Sequence, residues 1–116
     1  MAASRRGGSD PGDLPAVSVI VVNLNGRALL GDCLDSIAAQ EYPAAQVQTI
    51  VVDNGSTDGS LQFVREAYPW VQVIEAGRNL GFAAGCNLGA RKASGDFVAF
   101  LNNDARADAG WLQAMV

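Results

Sequence analysis

The strongest constraint on the fold is a cycle in which a short β-branched run is followed by an amphipathic helical pattern, repeated four times after Pro15. The first run, residues 17–22, is apolar everywhere except Ser18, which is typical of a strand covered on both faces. Strands are predicted over 17–22, 47–52, 71–74 and 97–101, and helices over 28–39, after 60, over 82–93 and from 107–110 onward. This alternation predicts an α/β fold, with an open, mostly parallel sheet and helices on both faces.

The first fifteen residues differ from the rest in composition. They carry three Gly, two Pro, two Ser, two Arg and two Asp without periodicity, and this predicts a flexible tail over 1–15. Residues 16–116 are predicted to form one domain, because 116 residues leave no room for two ordinary ones. The last predicted helix has no following strand to cover, so we expect the domain to be truncated at its C-terminus.

The composition excludes several classes of chemistry. The chain has no His, which excludes Ser-His-Asp catalysis, Cys-His nucleophiles and His-ligated zinc within it. A net charge of −4 argues against a nucleic-acid groove.

Cys33 and Cys86 lie far apart in the sequence, as expected of free thiols in a reducing cytosol. The most apolar stretch, residues 16–22, is far shorter than the roughly 20 residues of a membrane span, so we expect a cytoplasmic chain.

Polar clusters follow three of the four predicted strands, at 23–26, 53–59 and 102–104. Because ligands of open α/β sheets bind outside the carboxyl ends of the strands, these clusters should converge on one edge. Each has a plainer interpretation. The first could be an ordinary turn, the second turn and cap chemistry with Ser60 or Asp58 as N-cap, and the third a helix cap. Alternatively, the third could hold a hard divalent cation together with substrate phosphates.

A fourth cluster, residues 78–89, places Gly81, Gly85 and Gly89 at intervals of four in a predicted helix. Three glycines lower helix propensity by about 2–3 kcal/mol relative to Ala, so something must approach this helix closely. It could be the sheet or a ligand. Arg78, just before the helix, could clamp a diphosphate or be a solvated surface charge.

Taken in order, these clusters resemble the nucleotide-binding half of a family 2 inverting glycosyltransferase with the GT-A fold. The resemblance covers residues 17–116. It is carried by VSVIVVNLN at 17–25, VVDNGSTDGS at 51–60, RNLGFAAGCN at 78–87 and FVAFLNND at 97–104. It implies a Rossmann-like sheet and the transfer of a sugar from a nucleotide diphosphate to an acceptor hydroxyl, with inversion at the anomeric carbon.

The resemblance also implies roles for particular residues. The base and ribose would be held by Val22, Asn23, Asn25, Asp53 and Asn54. The diphosphate side would be lined by Arg78, Asn79 and Gly81. Asn103 and Asp104 occupy the family's Asp-x-Asp position, where Asp104 would ligate Mn²⁺ or Mg²⁺.

Two positions depart from the common family pattern, since Asn54 and Asn103 stand where many members have acidic residues. These variants resemble the rhamnosyl- and galactofuranosyltransferase-like branch, which implies a dTDP- or UDP-sugar donor. The family's catalytic base lies well downstream of the metal motif, so it is expected beyond Val116. The acceptor would be a glycan or a lipid-linked sugar in cell-envelope polysaccharide or glycolipid synthesis, at the inner face of the membrane.

Two other interpretations stay open. The first is a non-catalytic α/β domain that binds a nucleotide or a partner at the same edge, without metal chemistry. The second is a misfolded or oligomeric remnant, in which an uncovered edge of the sheet pairs with another copy.

Overall fold

The computed structural model describes residues 2–5 and 14–116. The strands are β1 (Ala2–Arg5), β2 (Val17–Asn23), β3 (Val47–Asp53), β4 (Gln72–Glu75) and β5 (Phe97–Phe100). The helices are α1 (Arg27–Ala38), α2 (Ser60–Ala67), α3 (Phe82–Lys92) and α4 (Trp111–Met115), with a short 3₁₀ helix at Ala44–Gln46. Every strand and helix predicted from the periodicity is present, with ends shifted by at most a few residues.

The strands lie in the order β1-β5-β2-β3-β4. β2 pairs in parallel with both β3 and β5, β3 pairs in parallel with β4, and β1 pairs antiparallel with β5. The predicted open, mostly parallel sheet is therefore confirmed. The chain leaves β2 toward β3 and β4 and then returns to the other side of β2 to form β5. This reversal puts the topological switch point of the sheet between the carboxyl ends of β2 and β5.

The structure differs from the predicted flexible tail at Ala2–Arg5, which forms β1 with Ala2 opposite Phe100 and Arg5 opposite Phe97. Without β1, β5 would be an edge strand with a row of unpaired N–H and C=O groups, and an extended segment can satisfy them without any hydrophobic pattern. The rest of the predicted tail up to Asp13 falls outside the described residues.

The hydrophobic core lies on both faces of the sheet. Alternate β2 residues such as Val19 and Val21 pack with α1, α2 and α4, while Ile20 faces the other side with Val52 and Val98, against α3. The two faces follow from the period-2 alternation of side chains along a strand. Along the described parts of the chain, no helix combines the length and the apolar character needed to cross a membrane.

Two of the three glycines at four-residue intervals allow α3 to lie close to the sheet. A Cβ added at Gly85 would lie 2.9 Å from Val22 Cγ1, and one at Gly89 would lie 2.6 Å from Ile20 Cγ2. Gly81 differs, because no atom lies within 4 Å of its added Cβ; its φ of 84° instead requires glycine before the helix. The close approach predicted for this helix is thus to the sheet.

Candidate functional site

The side chain of Asn23 joins the loops that follow β2, β3 and β5. Its Nδ2 donates to Asp53 Oδ1 at 3.0 Å and to Ser56 Oγ at 3.2 Å, and its Oδ1 accepts from Asn103 Nδ2 at 3.0 Å and from Gly26 N at 3.1 Å. Both donors and both acceptor positions of the carboxamide are used, and the residue is fully buried. Asn23 therefore holds the loops in place, and its side chain has no hydrogen-bonding capacity left for a ligand.

Asp53 is also buried, at the end of β3. Its carboxylate accepts from Ser56 N at 2.9 Å and from Ser56 Oγ at 2.6 Å, in addition to the Asn23 amide. The Ser56 hydroxyl in turn accepts from Asn25 N at 2.8 Å. The loop after β3 is thus folded around Asp53 and fastened to the loop after β2.

Asn54 contains the buried polar atom that stands out at this edge. Its side chain is 3% exposed, and Nδ2 donates to Gly81 O at 3.2 Å. Its Oδ1 is buried and has no partner in the part of the chain that the structure describes. Most buried polar atoms in native proteins are hydrogen-bonded, so an orphan acceptor at a candidate site is a place where a ligand donor or a water can bind.

The loop before α3 reaches the same place. A Cβ added at Gly55, whose φ is 87°, would lie 3.2 Å from Arg78 Cα, so only glycine allows this approach. Asn79 Oδ1 accepts from Gly81 N at 2.9 Å and shapes the turn into α3. Arg78 is exposed and makes no hydrogen bond or ion pair with residues 2–5 or 14–116. Its guanidinium is therefore available to an anion.

On the β2 side, the structure places Val22 half-buried against α3 and Asn25 exposed. Asn25 has a φ of 52°, in the left-handed region that Asn tolerates, and its Oδ1 accepts from Thr57 N at 2.8 Å. The backbone and side chain of Asn25 thus hold the two neighbouring loops at a fixed separation.

Asp58 connects the starts of α1 and α2. It accepts from Arg27 N at 3.0 Å, from Ser60 N at 3.0 Å and from the Ser60 hydroxyl. The Ser60 hydroxyl bond, with the backbone donors, lowers the pKa of the Asp58 carboxyl. The N-cap position itself is Gly59 in a left-handed conformation, between the two residues that the sequence suggested. Asp58 supplies the capping acceptor from one residue earlier.

The metal position predicted at the end of β5 carries one free carboxylate. Asp104 is exposed, and its side chain has no hydrogen-bond partner within the described residues; neither has Asn103 Oδ1. Cys33 lies nearby and donates to Asn102 O at 3.4 Å. Burial, with a further contribution from the charge of Asp104, raises the pKa of the Cys33 thiol to about 12. Cys33 is therefore a protonated structural thiol.

This donor set fits a divalent cation whose coordination is completed by the substrate. Among the described residues, no three His, Cys, Asp or Glu side chains come together as a metal cage. Mg²⁺, however, is commonly held by one or two carboxylates plus substrate phosphates and water. One free carboxylate and a neighbouring amide oxygen meet that requirement.

Two residues of this edge, Ser56 and Gly26, lie inside the predicted polar clusters but were not predicted as site residues. Ser56, which was assigned to turn chemistry, bonds to Asp53, Asn23 and Asn25. Gly26 packs directly against the asparagine pair, which is Asn23 and the Asn103 that donates to it, since an added Cβ would lie 2.3 Å from Asn103 Nδ2. A Ser three residues after an Asp is a recognisable turn signal, and Gly26 is marked as a turn residue, but nothing local in the sequence indicates that Asn103 packs against Gly26.

The family model for glycosyl transferase family 2 matches residues 18–116. A glycosyltransferase from Haloferax volcanii, AglE, is 34% identical over 103 residues, which cover 86% of this chain and 34% of that protein. A poly(ribitol-phosphate) beta-glucosyltransferase from Bacillus spizizenii is 33% identical over 92 residues, 76% of this chain and 14% of that protein. The chain thus spans about a third or less of the length of these relatives.

Two solved structures have the same fold. S. aureus TarS 1-349 in complex with UDP-GlcNAc superposes with a TM-score of 0.80 at 29% identity, over 86% of this chain and 30% of that one. The mannosyltransferase PcManGT from Pyrobaculum calidifontis, in complex with GDP-Man and Mn²⁺, superposes with a TM-score of 0.78 at 32% identity, over 92% of this chain and 33% of that one.

Proposed function

Because the chain belongs to glycosyl transferase family 2, we propose that the carboxyl edge of its sheet binds a nucleotide-diphosphate sugar with a divalent cation. In the whole protein this donor would serve inverting transfer of the sugar to an acceptor hydroxyl. The observation that carries the proposal is the Asn23 side chain, which gathers Asp53 and Asn103 into one cluster at the switch point. The similar structures with UDP-GlcNAc and with GDP-Man and Mn²⁺ support it.

The base and ribose would lie between the loops after β2 and β3. Val22, Asn25 and Asp53 would line this space, while Asn23 holds the two loops together through Asp53 and Ser56. The unpartnered Asn54 Oδ1 would accept a hydrogen bond from a ring N–H or a ribose hydroxyl.

The diphosphate would lie beside the loop before α3. Arg78 has a free guanidinium, and charge-assisted bonds from arginine to phosphate are strong and often bidentate. Asn79 and Gly81 set the turn that brings this loop to the edge.

Asp104 and the Asn103 amide oxygen would hold Mn²⁺ or Mg²⁺. When bound, the cation would offset the negative charge that develops on the departing diphosphate. The protein's own contribution is the free carboxylate of Asp104, which pays no penalty for breaking an existing hydrogen bond when a cation binds.

The acceptor hydroxyl and the base that takes its proton need a site of their own in the whole protein. Inverting transfer needs a base within hydrogen-bond reach of the acceptor hydroxyl. We propose that the base and the acceptor site belong to a part of the whole protein other than the edge that would bind the donor. The acceptor would be a glycan or lipid-linked sugar in cell-envelope polysaccharide or glycolipid synthesis, at the cytoplasmic face of the membrane. The similarity to an enzyme named for poly(ribitol-phosphate) supports a polymer of this kind.

For the donor we propose a dTDP- or UDP-sugar, as in the rhamnosyl- and galactofuranosyltransferase-like branch. The similar structures hold UDP-GlcNAc and GDP-Man, so both pyrimidine and purine nucleotides occur among such proteins. The base of the donor nucleotide can therefore be identified by comparing how UDP, dTDP, GDP and CDP bind to this chain.

The test is a thermal-shift panel of these four nucleoside diphosphates, each with and without Mn²⁺. A shift of the melting temperature that one nucleotide produces only with Mn²⁺ supports the proposal and identifies the base. A cooperative melt that no nucleotide shifts overturns it. Equal shifts with and without Mn²⁺ would favour the non-catalytic binding domain instead.

A further inference from the structure

The Asp53 carboxylate determines which way round the Asn23 carboxamide must lie. An ionised carboxylate only accepts hydrogen bonds, so the group that Asn23 turns toward it must be the nitrogen, at 3.0 Å. The Asn23 oxygen is then forced to the opposite side of the carboxamide. Ser56 agrees with this assignment, because its hydroxyl hydrogen is used on Asp53 and its oxygen accepts from the Asn23 nitrogen.

The Asn23 oxygen in turn determines the orientation of Asn103. Gly26 N–H donates to this oxygen at 3.1 Å, which independently identifies the atom as an acceptor. Asn103 must therefore present its nitrogen, at 3.0 Å, because the reverse orientation would bring two amide oxygens together. Asn23 is fully buried and Asn103 is half-buried, so an unpaired Asn23 oxygen facing a second oxygen would be costly.

We propose that Asp53, acting through Asn23, orients the Asn103 carboxamide so that Asn103 Oδ1 becomes a second oxygen ligand beside Asp104 for the divalent cation. Asp53 and Asn23 are then positioning residues for a ligand on the far side of the switch point. This inference rests on the proposed function. It is supported by the absence of any partner for Asn103 Oδ1 within residues 2–5 and 14–116.

We call the two hydrogen bonds that run from Asp53 through Asn23 to Asn103 the relay. The relay explains why residue 103 is an asparagine in this chain. A carboxylate at this position would set one of its oxygens against Asn23 Oδ1, which is fixed as an acceptor. An amide can donate to Asn23 with one end and offer an oxygen to a cation with the other. Asn23 and Asn103 are therefore matched to each other.

The orientation of Asn103 can be measured without any ligand, by NMR of the isotope-labelled chain. The position of a Cβ added at Gly26 is 2.3 Å from Asn103 Nδ2, so one Gly26 Hα must lie near the Asn103 NH₂ protons. A strong nuclear Overhauser effect between them supports the proposal. If this Overhauser effect is absent although Asn103 is assigned and the chain is folded, the Asn103 carboxamide has the reverse orientation and the proposal is overturned.

The role toward the cation is tested by calorimetry with the nucleoside diphosphate selected by the thermal-shift panel, with and without Mn²⁺. Asn103→Ala should reduce the gain in affinity that Mn²⁺ provides by about tenfold and leave metal-free affinity unchanged. Gln113→Ala is the control, since Gln113 is an exposed residue of α4 outside the proposed site, and it should keep the gain. An unchanged gain in Asn103→Ala overturns the proposal.

A charge swap tests the relay itself. Asn23→Asp alone sets two carboxylates side by side. Asp53→Asn alone removes one of the two groups that orient Asn23 and leaves only Gly26 N–H, so each single variant should lose part of the Mn²⁺-dependent gain. The double variant restores one carboxylate and one amide, and Asp at 23 still accepts from Asn103 and Gly26. Recovery of the gain in the double variant supports the relay. A double variant that melts like the wild type without recovery contradicts it.

Failure of the proposed function is distinguishable from failure of this inference. A folded wild type that binds none of the nucleotides, with or without Mn²⁺, overturns both the donor site and the cation role of Asn103. Wild-type binding that depends on Mn²⁺, together with an unaffected Asn103→Ala, leaves the donor site standing and overturns the relay alone.

Discussion

Asn103 donates to Asn23 at 3.0 Å although 80 positions of sequence separate them. This bond joins the end of β5 to the end of β2, the two strands between which the sheet reverses its order. Because Asn23 also holds Asp53, the proposed base side and the proposed cation side are connected by one buried side chain.

Asp104→Asn should reduce nucleotide affinity in the presence of Mn²⁺ to the metal-free level while leaving the fold unchanged. The side chain is exposed and has no hydrogen-bond partner in the described ranges, so its charge contributes little to stability. Calorimetry with Mn²⁺ measures the affinity, and a thermal melt provides the control. Undiminished Mn²⁺-dependent binding would show that Asp104 is not a metal ligand.

Gly89→Ala should destabilise the domain by about 1–3 kcal/mol, because its Cβ would lie 2.6 Å from Ile20 Cγ2 and overpack the contact between α3 and β2. Gly85→Leu should damage the fold more severely. Gly110→Ala is the control, since nothing lies within 4 Å of an added Cβ there. Urea unfolding measures the free energy of unfolding of each of these three variants. Equal stabilities of the Gly89 and Gly110 variants would refute the close approach.

Gly26→Ala should separate the asparagine pair, because the new Cβ would lie 2.4 Å from Asn23 Oδ1 and 2.3 Å from Asn103 Nδ2. We expect a loss of stability of about 1–3 kcal/mol. The loss should be smaller in an Asn103→Ala background, where the clash with the amide nitrogen is gone. A double-mutant cycle by urea unfolding measures this coupling. Additive effects would mean that Gly26 acts independently of Asn103.

Asp58 should make a pH-dependent contribution to stability. Its folded pKa is lowered below the ordinary value of 3.8, mainly by the Ser60 hydroxyl bond, so the contribution is fully present above that value. It is lost as the pH falls through the lower folded pKa. Melting temperatures of the wild type and Asp58→Asn should therefore differ at neutral pH and converge in acid. A difference that stays constant across this range would refute the assignment.

Cys33 should resist alkylation in the native chain, because its pKa is raised to about 12 and the thiolate is the reactive form. Cys86 is partly exposed, although burial raises its pKa as well, and should be modified first by iodoacetamide at about pH 8. Peptide mass spectrometry identifies the modified residue. In urea both thiols should react alike; rapid native labelling of Cys33 would contradict its burial.

The fold followed from the sequence because each element carried its own periodic signal. The β-branched runs at residues 17–22 and 47–52 and the helical stripes between them became β2, β3 and their helices. β1 could not be predicted, because Ala2–Arg5 has no strand pattern and its pairing depends on the exposed edge of β5.

The convergence of the polar loops after β2, β3 and β5 was predictable by the strand-end rule, whereas the contacts of each residue within them were not. Asn23 and Asn25 look equivalent in the sequence, yet one is fully buried and saturated and the other is exposed in a left-handed turn. Which of them faces inward depends on the register of β2 with β3 and β5, and register is a property of the assembled sheet.

The strand order also affects the order in which the parts of this edge assemble during folding. Val17 pairs with Val47 on one side and with Phe97 on the other. The connection from β2 to β3 contains α1 and a short 3₁₀ helix, whereas a much longer stretch of chain separates β2 from β5. Closing the longer loop costs more chain entropy, and we expect β2, β3 and β4 to assemble first. On the ribosome, the edge that joins Asn23 to Asn103 would then be completed last. By the same order, the proposed base and ribose side, between the loops after β2 and β3, would form before the proposed cation side.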